Sequence, residues 1–165
     1  MPIQRLLLAL AFTPLLLTPA CAVAGPTATV LSVGDGDTIR VRRGDGAITV
    51  RLACIDAPEM AQRPHGDQAR LALLERLPIG QSVTLNIKTI DRYGRTVAEV
   101  FRDQNINLTL VEEGQAFAYR RYLNHCDRQA YLDAEDRASR RRRGVWQPAD
   151  GITRPWEFRR RIPSR

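Results

Sequence analysis

Ile48-Thr49-Val50-Arg51-Leu52-Ala53-Cys54-Ile55-Asp56-Ala57-Pro58-Glu59 is the stretch that decides how this chain is built. From Ile48 to Ile55 the residues alternate, with Val50, Leu52 and Cys54 on one side and Thr49, Arg51 and Ala53 on the other. That is the period of a half-buried strand. Upstream, Thr27 to Val33 and Asp37 to Val41 repeat the pattern with β-branched residues, separated by turn-forming Gly34–Asp37 and Arg43–Gly46. Together they predict a meander of three short strands. Downstream, Gly66 to Leu77 changes to helical period, with Ala69, Leu73 and Leu77 four apart and Leu74 beside them, and Pro78 and Gly80 stop it. Gln81–Thr89 and Thr96–Arg102 read as two further strands, Asn107–Glu113 as a short helix ending at Gly114, and Arg128–Arg142 as a longer one ending at Gly144. Five strands with a helix between the third and fourth is the order of an OB-type barrel. The expected class is α+β and rich in β-barrel, with about three helices packed on a five-stranded OB-fold.

The opening stretch also holds residues that folding does not explain. Arg51 lies inside an apolar strand, and Asp56 and Glu59 follow at its end. Charges are rarely placed at the mouth of a core strand without a partner. Gly34-Asp35-Gly36-Asp37-Thr38 is by itself ordinary turn chemistry. Asp91-Arg92-Tyr93-Gly94-Arg95 is a turn that would fix Arg95 beside the next strand, with Tyr93 as a packing residue setting its angle. These are the parts phosphodiester cleavage needs. A hard cation takes carboxylate, carbonyl and water oxygens, a carboxylate can orient or deprotonate a water, and arginine forks meet charge on phosphoryl oxygens. Asp37 and Asp56 can supply the ligands, Glu59 can hold the water, and Arg51 and Arg95 can bind phosphate. No Cys/His cluster of the kind that holds structural zinc is present. His65 and His125 fall outside these segments and read as surface-loop residues.

Met1 to Arg5 is a short positive start, Leu6 to Leu17 an almost unbroken apolar run, and Ala22-Val23-Ala24 a small-x-small cleavage pattern. Residues 1–24 therefore read as a signal peptide cut after Ala24, and the protein as secreted or periplasmic. An uncleaved anchor or a lipid-modified Cys21 is the alternative. About 141 residues remain, enough for a single core, with no stable membrane insertion expected after cleavage. They keep Cys54 and Cys126, which are either a disulfide, as an exported protein permits, or buried small residues. The net charge of +7 is uneven. From Arg137 onward ten arginines face two acids (+8), whereas residues 25–136 carry fourteen basic and sixteen acidic groups (−2). The body over 25–136 is thus nearly neutral and the end of the chain basic, and the expected division is an OB-fold domain at 25–147 followed by a basic tail at 148–165. The tail's Arg159–Arg161 suit sequence-independent attraction to phosphates, and Trp146 and Trp156 suit a strap packed on the barrel.

Asp-Gly-Asp-Thr (35–38), Arg-Leu-x-x-Ile-Asp-Ala-Pro-Glu (51–59), Asp-Arg-Tyr-Gly-Arg (91–95) and Leu-x-x-x-Glu-x-Gly-x-Ala (108–116) resemble, in order and spacing, the signatures of the staphylococcal nuclease (thermonuclease) family. The resemblance runs from about Thr27 to Trp146. It implies a Ca2+ held by Asp37, Asp56 and the backbone carbonyl of Ala57, with Asp35 in its outer shell. It also implies Glu59 as the residue that positions or activates water, Arg51 and Arg95 on the scissile phosphate, and Tyr119 and Tyr122 along the nucleotide. The substrates implied are DNA and RNA, cleaved with little sequence specificity by a monomer. The Met60–Gly66 loop is shorter than the lysine-rich loop of the type enzyme, which bears on contacts to base and second phosphate. The competing expectation is a catalytically silent OB-fold module that holds single-stranded nucleic acid. Such a module would offer several stacking aromatics, and aromatics are 6% of the chain.

Overall fold

In chain order the elements are β1 (Thr27–Val33), β2 (Thr38–Arg43), β3 (Gly46–Leu52), β4 (Ile55–Asp56), α1 (His65–Arg76), β5 (Ser82–Ile90), β6 (Thr96–Phe101), α2 (Ile106–Glu112), β7 (Phe117–Ala118), α3 (Arg128–Arg140) and α4 (Pro155–Arg161). They come from a computed structural model that describes residues 25–161. The expected leader at 1–24 and the last four residues of the tail lie outside the described residues. Strands β1-β2-β3-β6-β5 close into a barrel, with β3 and β6 parallel and the other neighbours antiparallel. This is the OB-type barrel expected from the strand order.

The inward residues are the ones the alternation selects. Val30, Ile39, Val41, Val50, Leu52, Val83, Leu85, Ala98 and Val100 are buried in one core. In β1 the alternation slips: Val30 and Val33 are buried while Ser32 is exposed. The register with β2 shifts between Val30 and Ser32, and such a bulge turns residues three apart to the same face. Helix α1 places Ala69 and Leu73 in the same core, and α3 adds Tyr131 and Ala134. Asn107 of α2 staples the barrel from inside. Its amide nitrogen donates to the carbonyls of Ala53 (2.9 Å) and Ala98 (3.1 Å), and its oxygen accepts from Val100 N–H (3.0 Å).

Two features depart from the sequence reading, and a third decides an alternative it left open. The third strand stops at Leu52 instead of running to Ile55. Cys54 takes a left-handed backbone conformation (φ 66°), so it leaves the Val50–Leu52 face, and the chain re-emerges as β4 paired with β7. Cys54 is joined to Cys126 by a disulfide, which resolves the open alternative. Finally, Pro155–Arg161 of the tail is a fourth helix. The expected strap of indoles is real: Trp146 and Trp156 meet Phe117 edge-on at 5.2 and 6.1 Å, contacts worth about 0.5–1.5 kcal/mol each beyond area burial.

Candidate active site

Pairing of β2 with β3 sets Thr38 opposite Arg51, so Asp37 sits beside the Arg51 side chain. The turn that precedes it is packed closely. A Cβ on Gly36 would meet the Cβ atoms of Ala69 and Ala57 at 2.6 and 2.7 Å, so only glycine fits. Arg51 Nη1 lies 2.9 Å from Asp37 Oδ2 and Nη2 lies 2.8 Å from Asp56 Oδ1. Nη1 also donates to the carbonyls of Leu52 (3.1 Å) and Ile55 (3.3 Å), which hold the fork at the end of its own strand. One guanidinium thus ties together the two expected cation ligands. The break at Ala53–Cys54 makes this possible, because it folds Asp56 back toward the strand carrying Arg51.

Asp37 and Asp56 are both buried. Burial, reinforced by Asp35 and Asp56 and opposed by Arg51 and the Ala57 N–H, pushes the Asp37 carboxyl up to about 7. The Ala57 N–H donates to Asp37 Oδ2 at 2.6 Å, and Asp35 accepts the Asp37 N–H at 3.1 Å. Two buried carboxyl groups thus meet at one point, bridged by the Arg51 guanidinium. The donors are all oxygens, which fits a hard divalent cation better than zinc. Among the described residues no three His, Cys, Asp or Glu side chains converge as a ready-made metal cluster. Asp37 and Asp56 would therefore need backbone carbonyl and water oxygens to complete a shell, and the Ala57 carbonyl is the one the family resemblance implies.

Glu59 lies on the loop to α1. Its N–H donates to Gln62 Oε1 (3.0 Å), and Gln62 in turn donates to the Thr153 carbonyl (2.8 Å), tying the loop to the tail. In the β5–β6 turn, one oxygen of Asp91 accepts from the N–H groups of Tyr93 (2.9 Å) and Arg95 (3.0 Å), and the other from Arg95 Nε (2.8 Å). Burial opposes the ionised form of Asp91, but these hydrogen bonds and the Arg95 charge outweigh it and hold the carboxyl below its ordinary value. Arg95 is thereby fixed through Nε. Its guanidinium lies 5.4 Å from the centre of the Tyr93 ring, but that ring is exposed, so Tyr93 is not the packing residue the sequence reading expects, and Asp91 sets the angle of Arg95 instead.

All of these residues line one cleft of about 750 Å³: Asp35, Asp37, Arg51, Asp56, Ala57, Glu59, Arg95, Tyr119 and Tyr122. Tyr119 and Tyr122 pack edge-on at 5.1 Å. Glu59 and Arg95 do not touch the Asp37–Arg51–Asp56 group through hydrogen bonds of their own; they face the same space. The sequence reading left His125, Lys88 and Arg159 out of the site although they line the cleft, and it missed the ring behind Tyr119. His125, assigned to a surface loop, is exposed but lines the cleft, as does Lys88, which is paired with Glu99 at 2.8 Å. Trp156 stacks on Tyr119, with centroids 5.0 Å apart and planes 8° apart. Arg159 enters the site itself, with Nη2 2.7 Å from Asp56 Oδ2 and Nη1 2.5 Å from Glu59 Oε1. Nothing local in the sequence signals those last two contacts, which span about a hundred residues.

The family model described as staphylococcal nuclease homologue matches residues 49–148. A micrococcal nuclease of Shigella flexneri is 40% identical over 141 residues, covering 79% of each chain. An uncharacterized endonuclease of Haemophilus influenzae is 38% identical over 143 residues, covering 86% of this chain and 77% of its own. A protein ParB of Escherichia coli is 34% identical over 146 residues, covering 82% and 80%.

Proposed function

The chain belongs to the staphylococcal nuclease homologue family, and on that premise we propose that it is an exported, calcium-dependent nuclease. It hydrolyses phosphodiester bonds of DNA and RNA with little sequence specificity. The observation that carries this reading is the single Arg51 fork joining Asp37 and Asp56 at a cleft that Glu59 and Arg95 also line. Nuclease relatives support the hydrolytic class. Export rests on the leader pattern at 1–24, and no described helix is long and apolar enough to cross a membrane. A monomer is proposed on the single closed core.

Asp37, Asp56 and the Ala57 carbonyl would hold the cation, with Asp35 steering its outer-shell waters. Bound there, calcium supplies positive charge to a phosphoryl oxygen and orients water. Glu59 accepts the proton of the attacking water as its oxygen bonds to phosphorus and the bond to the leaving oxygen breaks. Arg51 and Arg95 donate N–H groups to the oxygens where charge develops. Tyr119 and Tyr122 provide a sequence-tolerant surface for a base.

One observation favours a second reading. Tyr119 and Tyr122 line the cleft with Trp156 stacked on Tyr119, a cluster that a silent single-strand-binding module would also use. Incubating the chain from Gly25 onward with single- and double-stranded DNA and RNA separates the two. Cleavage in calcium that stops in excess chelator is expected, and Glu59→Ala or Arg95→Ala should lower the rate at least about a hundredfold. Tight binding of single strands without cleavage would establish the binding module instead.

A further inference from the structure

Arg159 and Trp156 sit three residues apart on α4, so they project from the same side of the helix. Each covers one of the two places the proposed reaction needs. Arg159 donates to both oxygens of Asp56 (3.2 and 2.7 Å) and to Glu59 Oε1 (2.5 Å). Trp156 lies flat on one face of Tyr119. The strap is anchored upstream of both residues. The Thr153 carbonyl is tied to Gln62, and the Arg154 guanidinium lies 4.4 and 4.5 Å from the ring centres of Phe117 and Trp146. These two anchors engage neither Asp56 nor Tyr119, so the fold keeps its hold on the strap when Arg159 is released, while Trp156 itself also packs on Phe117 at 6.1 Å.

We infer that α4 is an intramolecular competitor of the active site. Arg159 neutralises the acids that would otherwise take a divalent cation, and Trp156 covers the aromatic that would otherwise take a base. Asp56 carries two guanidiniums in this closed form, from Arg51 and Arg159, so its negative charge is already met. A cation must displace Arg159 to bind there. A nucleic-acid strand, which offers phosphates to the freed arginine and bases to Tyr119, favours the same displacement. The basic tail thus acts as a latch that keeps cation affinity low until substrate arrives. This inference rests on the reading of Asp56 and Glu59 as the cation-holding and water-holding acids.

The test is calorimetric titration of calcium into the wild-type chain, Arg159→Ala, Asp56→Ala and the double variant, with far-UV circular dichroism checking the fold. Apparent affinity is lowered by the fraction of molecules in the competent form, so a latch open about a tenth of the time costs about tenfold. Arg159→Ala is expected to bind calcium at least about tenfold more tightly than wild type, and Asp56→Ala to abolish binding in both backgrounds. Equal or weaker binding by Arg159→Ala, with Asp56→Ala still abolishing it, would overturn the latch and leave the cation site standing. Calcium binding indifferent to Asp56→Ala would overturn the cation site and the latch with it. As a second handle, Trp156→Ala should tighten binding of a short oligothymidylate in calcium-free buffer. Unchanged or weaker binding would overturn the covering role of Trp156.

Discussion

Asp91 touches none of the proposed cation-binding or proton-transfer groups, yet it sets where Arg95 stands. Its two oxygens take three N–H groups of the turn, including Arg95 Nε. Asp91→Ala is therefore expected to reduce kcat/KM about tenfold or more while far-UV circular dichroism stays unchanged. Asp91→Asn should recover part of the loss, because its amide oxygen can still accept the turn's backbone N–H groups but cannot pair with Arg95. A wild-type rate in Asp91→Ala would contradict the positioning role. The folded carboxyl titrates below its ordinary value of 3.8. Its contribution to stability is thus present above that value and is lost only as pH falls further, through the lowered pKa. The turn accordingly holds Arg95 across the neutral and mildly acidic range.

At the scale of elements, the barrel strands were legible because each carries its own alternation. Ile39 and Val41 of β2, and Val83 and Leu85 of β5, are buried as the period demands. The break after Leu52 was not legible, since Cys54 continues the alternation in sequence while its backbone turns left-handed. What fixes that turn is distant: the disulfide to Cys126 and the Tyr119 N–H donating to the Cys54 carbonyl at 2.8 Å. Helix α4 escaped for the same reason, because its contacts at Asp56 and Tyr119 are made across the chain. Arg51, Asp56 and Glu59 stood out as charges misplaced for folding, but their tie to Arg159 did not. Asn107 is a further case, a buried amide that reads locally as an ordinary helix residue. Replacing it with alanine would leave the Ala53 carbonyl and the Val100 N–H short of partners, at about 1–3 kcal/mol for each unsatisfied group. Asn107→Ala should lower unfolding free energy in urea by at least about 2 kcal/mol, and a loss within about 0.5 kcal/mol of zero would mean the staple is dispensable.

For the whole molecule, charge is segregated rather than merely positive. The body from 25 to 136 is nearly neutral, and the chain from Arg137 onward carries a balance of +8. Part of that charge is spent inside the fold, with Arg137 and Arg141 on Glu112 and Arg159 on Asp56 and Glu59. The tail expected to attract phosphates from outside thus reaches into the cleft as well. The central proposal is that Asp37 and Asp56 hold a hard cation with which this cleft cuts phosphodiester bonds. The initial rate of cleavage of a labelled single-stranded DNA, followed against free calcium for wild type and Asp56→Asn, tests that claim most directly. The account predicts saturable activation that excess chelator abolishes, and a calcium requirement at least about tenfold higher in Asp56→Asn, the scale of one lost ligand interaction. Full-rate cleavage in chelator, or the same calcium curve in both proteins, would contradict it.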